Sequence, residues 1–91
     1  MSDNIRVLRL TSGEEIVCNA TQSHSGTYEV TDCLLLYPGE SANSLRFLPW
    51  MPYVEHPISI NNKHVVFSAK PDTSILENYS KIFGKIVLYN S

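Results

Sequence analysis

The sequence is short of apolar runs, of charge and of cysteine, and each shortage removes a class of protein. No apolar stretch approaches the roughly 20 residues that a helix needs to cross a bilayer, so no membrane span is expected. Charged residues make up 18% of the 91, and seven lysines and arginines against nine acids leave a net charge of −2. A protein that grips duplex nucleic acid mainly through its phosphates is usually strongly basic. That mode is disfavoured, whereas one built on stacking, hydrogen bonds and a few local cations stays open. The two cysteines, Cys18 and Cys33, lie inside strand-like runs. With no secretory context they read as buried thiols rather than a disulfide or half of a zinc site. The charged start MSDNIRVLRL has no signal-peptide stretch, which reads as an intracellular, cytoplasmic protein.

Catalytic signatures are missing too. There is no nucleophile elbow, no paired-carboxylate pattern and no phosphate-binding glycine loop. His24, His56 and His64 with Glu55 match no metal-ligand spacing and fall on different segments. The expectation is a protein that is not an enzyme and that uses no metal and no cofactor.

What remains is a single domain of short strands followed by one helix. IRVLRL (Ile5–Leu10) reads as a strand with a turn at Gly13, and EEIVCNA follows with Ile16, Cys18 and Ala20 on one face by period-two alternation. TQSHSG (Thr21–Gly26) is a polar loop, and TYEVTDCLLLY (Thr27–Tyr37) a long third strand ended by Pro38 and Gly39. LRFLPWMPY (Leu45–Tyr53) looks extended, yet Pro49 and Pro52 cannot donate ladder hydrogen bonds, which places it at an edge or a bend. Its Trp50, Met51 and Tyr53 either cover the end of a small core or form a stacking or partner surface. HPISIN resumes the extended chain and HVVFSA returns it. From Asp72 to about Lys81 the period changes: Ile75, Tyr79, Ile82 and Phe83 form one helical face, opened by Pro71 and Asp72, with Gly84 suited to cap it. KIVLYN then reads as a terminal strand. Short, strongly bent strands in so small a chain suggest a small barrel.

One stretch is more polar than a turn requires. ISINNKHVVFS places Asn61, Asn62, Lys63 and His64 between two apolar runs. A tight turn needs one or two residues that tolerate positive φ, for which Asn is the best choice after glycine. It does not need a lysine and a histidine as well. The stretch is either an ordinary solvated hairpin tip or a surface that touches something.

INNKHVV, preceded by LPWMPY and followed by SAKP and the helical ILENYSKIFG, is similar to the second signature segment of the Sm-like (LSm) proteins. The ordering most resembles the small Sm-like proteins of tailed marine phages and covers about half the chain. Ile60, Val65 and Val66 fall on matching positions, while Asn61 stands where the family has arginine and Asn62 where it has glycine. The resemblance implies a mainly β fold, an Sm-like strongly bent five-stranded open barrel of the SH3-like small-barrel kind. It also implies a homo-oligomeric ring of roughly five to seven subunits joined by edge strands. In such rings the loops corresponding to Thr21–Gly26 and Asn61–His64 line a pore that binds single-stranded RNA. The implied binding residues are Gln22 and His24 from the first loop and Asn61, Asn62, Lys63 and His64 from the second. His24 would stack on a base, Asn61 would bond a base edge, Lys63 would restore the cation, and Asn62 would take the left-handed conformation of the family's glycine. The family's Asp-x-x-x-Asn pattern is absent from the first segment. Single-stranded RNA, single-stranded DNA and a structural or adaptor ring without nucleic acid all stay open, the last favoured by the acidic balance and the missing arginine. A phage-encoded chain of this kind would act in the host cytoplasm.

Overall fold

The computed structural model describes residues 4–40 and 44–83. They form six strands, β1 (Ile5–Leu10), β2 (Glu15–Gln22), β3 (Thr27–Pro38), β4 (Leu45–Pro49), β5 (Ile58–Asn61) and β6 (Val65–Ala69), and one helix, α1 (Thr73–Phe83). All strand pairings are antiparallel, in the order β4-β3-β2-β1-β6, with β5 also against β3. Among the described residues no helix is long and apolar enough to cross a membrane. The expected Gly84 cap and the KIVLYN strand lie outside the described residues.

The stretch from Leu45 to Asn61 is two strands where the resemblance implied one. β4 pairs with the second half of β3 and β5 with the first half, and Pro49 at the end of β4 with Pro52 and Pro57 before β5 explain the break.

Connectivity forces the sheet to curl. β5 lies beside β3 and β6 beside β1, so in a flat sheet they would stand four strand spacings apart, about 19 Å. The chain between them is a 3₁₀ turn of three residues, Asn62–His64, which advances only about 2 Å per residue. The turn therefore holds the two rims of the sheet together. It also meets the turns at both ends of β2: the Asn62 amide donates to the Gly26 carbonyl at 2.9 Å, and the His64 carbonyl accepts from the Thr11 amide at 2.9 Å. A straight β2 would keep those ends about 23 Å apart, so the strand is sharply bent.

A β-bulge supplies part of that bend. Val17 opposes Leu34 but Asn19 opposes Thr31, so β3 carries one extra residue here, and Asp32 adopts φ +52°. The bulge also reverses the alternation of β3. Before it Val30 faces the inside of the curl, and after it Cys33 does, while Leu34 and Leu36 point outward.

Both faces of the sheet are consequently covered. Leu8, Leu10, Ile16, Cys18, Ala20, Val30 and Cys33 fill the inside, as the alternation of β2 anticipated. On the outside Ile5, Val17, Leu34 and Leu36 lie beneath α1, which contributes Tyr79, Ile75, Leu76 and Phe83. The helix starts where Asp72 caps it, its Oδ1 accepting from the Ile75 amide at 2.9 Å. Its orientation differs from the expected one: Ile82 is half exposed, whereas Leu76 packs on the sheet and Ser80 is buried. At 100° per residue the buried face is turned roughly 45° from the apolar one. The Tyr79 hydroxyl, donating to the Asp32 carbonyl at 2.7 Å, fixes that docking angle.

Candidate nucleic-acid interface

Gln22 belongs to β2, opposite Tyr28, so the first loop is the short turn that follows it. Within that turn the Gly26 amide donates to the Ser23 carbonyl at 3.3 Å and the Ser23 amide to the Thr27 carbonyl at 2.8 Å. Gly26 sits at φ +85°, completing a type I turn with a left-handed glycine. The Ser23 hydroxyl bonds those of Ser25 and Thr27 at 2.8 and 2.7 Å. His24 and Ser25 are thereby left as the exposed central residues of a stiffened turn.

The second loop corrects two expectations. It is not a hairpin tip, because β5 and β6 pair with different strands. Nor is Asn62 left-handed: among the described residues only Asp32 and Met51 have positive φ without being glycine. Asn61 keeps extended geometry and its Oδ1 accepts from the Lys63 amide at 3.0 Å, opening the 3₁₀ turn. That oxygen is committed to the fold, so the Asn61 amide nitrogen is what a ligand can meet.

The two loops form one surface. Besides the bond from Asn62 to the Gly26 carbonyl, a Cβ on Gly26 would stand 3.3 Å from Asn62 Nδ2, so glycine allows the close approach. Gln22, His24, Asn61, Asn62, Lys63 and His64 are all exposed. The ion pairs of the described residues are Arg9 with Glu15 and Arg46 with Glu40, which leaves Lys63 an unpaired cation on this surface. The nearby acid on β3, Glu29, accepts the Ser59 hydroxyl on both carboxylate oxygens at 2.8 Å. The hydroxyl set of Ser23, Ser25 and Thr27 escaped the sequence reading, although the clustering of Ser, Gly and Thr marks a side-chain-bonded turn.

Cys18 and Cys33 are free, buried and opposed across the bulge, and the hydrogen bond from Cys33 together with burial pushes the Cys18 thiol well above its ordinary range. Burial, with Asp32 next, pushes the Tyr79 phenol up as well. Among the described residues no His, Cys, Asp and Glu cluster suits a metal ion. Of the PWMPY aromatics, Trp50 packs on the inner core and lines an apolar cleft of about 200 Å³ with Cys33, Pro49, His56 and Phe83, whereas Tyr53 is 80% exposed. The edge strands display the other exposed apolar side chains that matter: Leu45 and Leu48 on β4, Val66 and Phe67 on β6.

No protein-family model matches this sequence, and no curated protein matches it either.

Proposed function

We propose that the chain is an Sm-like, ring-forming protein of the cytoplasm that binds single-stranded nucleic acid, RNA first, in a role in RNA or DNA processing or regulation. The observation that carries the reading is the bond between the Asn62 amide and the Gly26 carbonyl. It joins two sequence-distant polar loops into one exposed surface around Lys63, which makes no ion pair among the described residues, at the corner where a short turn brings the two rims of the sheet together.

The remaining geometry agrees with assembly. β4 and β6 end the sheet order, and each carries exposed apolar side chains that a solitary domain gains nothing by displaying. Pairing the β4 edge of one copy with the β6 edge of the next is a head-to-tail arrangement, and such interfaces close into rings when the rotation permits. About five to seven copies of the loop surface would then face one pore, each offering Lys63 to a phosphate, His24 to a base face, and Gln22, Asn61, Asn62 and His64 to base edges or sugars.

A titration of short homopolymers at two salt concentrations, with mass by light scattering, tests this. Lys63→Ala should weaken binding and reduce the logarithmic salt slope by about 0.7 for each phosphate no longer neutralised. Asn61→Ala should weaken binding with little change in slope. A monomer at micromolar concentration refutes the ring. An intact ring that binds no homopolymer at low salt supports a structural or adaptor ring instead, which the net charge of −2 and the engagement of Asn61 Oδ1 favour.

A further inference from the structure

We propose that Glu29 and Ser59 together read guanine beside the joined loops, as two adjacent acceptors for the two adjacent N–H groups of that base's Watson–Crick edge. The inference rests on the nucleic-acid reading above and names the base the surface selects. In the register of β3 and β5, Thr27 stands opposite Asn61 and Glu29 opposite Ser59. Opposed residues, and residues two apart, point to one side of a sheet. Val30 faces the inside of the curl, so these four side chains share the outward face. The Glu29–Ser59 row is therefore one two-residue step, about 7 Å, from the row that holds Asn61.

The Glu29 carboxylate sets the direction of every hydroxyl bonded to it. Ser59 Oγ donates to its two oxygens, 2.8 Å from each, and Thr27 Oγ1 donates to Oε2 at 3.3 Å. A carboxylate only accepts, and a hydroxyl has one proton to give. Thr27 therefore accepts from Ser23 at 2.7 Å, and Ser23 from Ser25 at 2.8 Å. The hydroxyls run as one polarised chain from the tip of the first loop to Glu29. Ser59 has likewise spent its proton, and it is exposed, so its oxygen meets a ligand as an acceptor. Ser59 Oγ and Glu29 Oε1, 2.8 Å apart, thus form a fixed pair of acceptors with no donor between them. Such a pair suits phosphate badly, because phosphate also only accepts. Guanine matches it, since its Watson–Crick edge places N1–H beside an N2 amino group. On the same edge adenine and cytosine set a ring acceptor beside the amino donor, and uracil flanks its single N–H with two carbonyls. Each of those three turns a lone pair toward the carboxylate. Lys63 is left to the phosphate, and Glu29 with Ser59 to the base.

Fluorescence anisotropy of labelled oligouridine carrying one central guanosine, inosine or adenosine tests the inference. The wild type should bind the guanosine oligomer about tenfold more tightly than the adenosine one. Inosine, which lacks the N2 amino group, should lose most of that gain, a result read on the unaltered protein. Glu29→Gln and Ser59→Ala should each reduce the preference below about twofold, whereas Ser59→Thr, which restores the hydroxyl, should keep it. Glu29→Gln should bind plain oligouridine no more weakly than the wild type, because it removes a negative charge from the path of the phosphates. Equal affinity for the guanosine and adenosine oligomers overturns the inference alone, as does a full preference retained in Glu29→Gln. An intact assembly that binds none of the oligomers overturns the nucleic-acid reading and the inference with it.

Discussion

Tyr79 is where the helix, the bulge and the bent strand meet, and its hydroxyl is the part to remove. Its side chain is fully buried, its ring lies 4.9 Å from that of Phe83, and the phenol donates to the Asp32 carbonyl at 2.7 Å. Tyr79→Phe keeps the ring and deletes only that bond. A net hydrogen bond contributes about 1 kcal/mol, and a carbonyl left short of a partner adds to the loss, so the expected cost is about 1–2 kcal/mol. In a domain of this size that lowers Tm by about 5–10 °C. Tyr79→Ala, which also empties the site, should cost about 3–5 kcal/mol. The pH dependence gives a second reading. Because the folded phenol is held above its ordinary value by burial, it keeps its proton where the unfolded chain has lost it. This stabilisation is complete below the ordinary phenol range near pH 10 and is lost as pH rises beyond it. Urea melts of the wild type and Tyr79→Phe from neutral to strongly alkaline pH would show both effects, the alkaline slope being shallower in the variant. Equal midpoints at neutral pH and equal slopes above about pH 10 would refute the role given to this hydroxyl.

Ile82→Glu should cost less than about 1 kcal/mol because Ile82 is 50% exposed, whereas Val17→Asp, buried beneath the helix, should prevent folding; thermal melts separate the two. Gly26→Ala meets both positive φ and the Asn62 side chain at 3.3 Å, and should lose about 1–2 kcal/mol. Gly13→Ala, at φ +96° with open space around it, should lose less in the same denaturant titration. The Ser80 hydroxyl is buried without a hydrogen-bond partner among the described residues, so Ser80→Ala should raise stability by about 0.5–1 kcal/mol, measured as a higher urea midpoint.

Local signals in the sequence determined much of this protein. Alternation placed Ile16, Cys18 and Ala20 on the inner face, Gly13 marked its turn, and Asp72 opened the helix, because each depends on neighbours within a turn or a strand step. Asn61–His64 was legible as more polar than a turn requires and is exposed, and the prolines of the fourth segment marked it as an edge or a bend. Tertiary structure decided what depends on partners far along the chain. TYEVTDCLLLY reads as one unbroken strand, and only pairing with β2 reveals the bulge that turns Leu34 and Leu36 outward. Burial of Val17 needs the helix some sixty positions later. Helical periodicity found the apolar stripe of α1 but not its angle of docking, which the bond from Tyr79 to Asp32 selects, exposing Ile82 and burying Ser80. The same holds for the candidate site. Sequence supplied its residue types, but the meeting of Gly26 with Asn62 exists only because a three-residue turn must connect strands on opposite rims of one curled sheet.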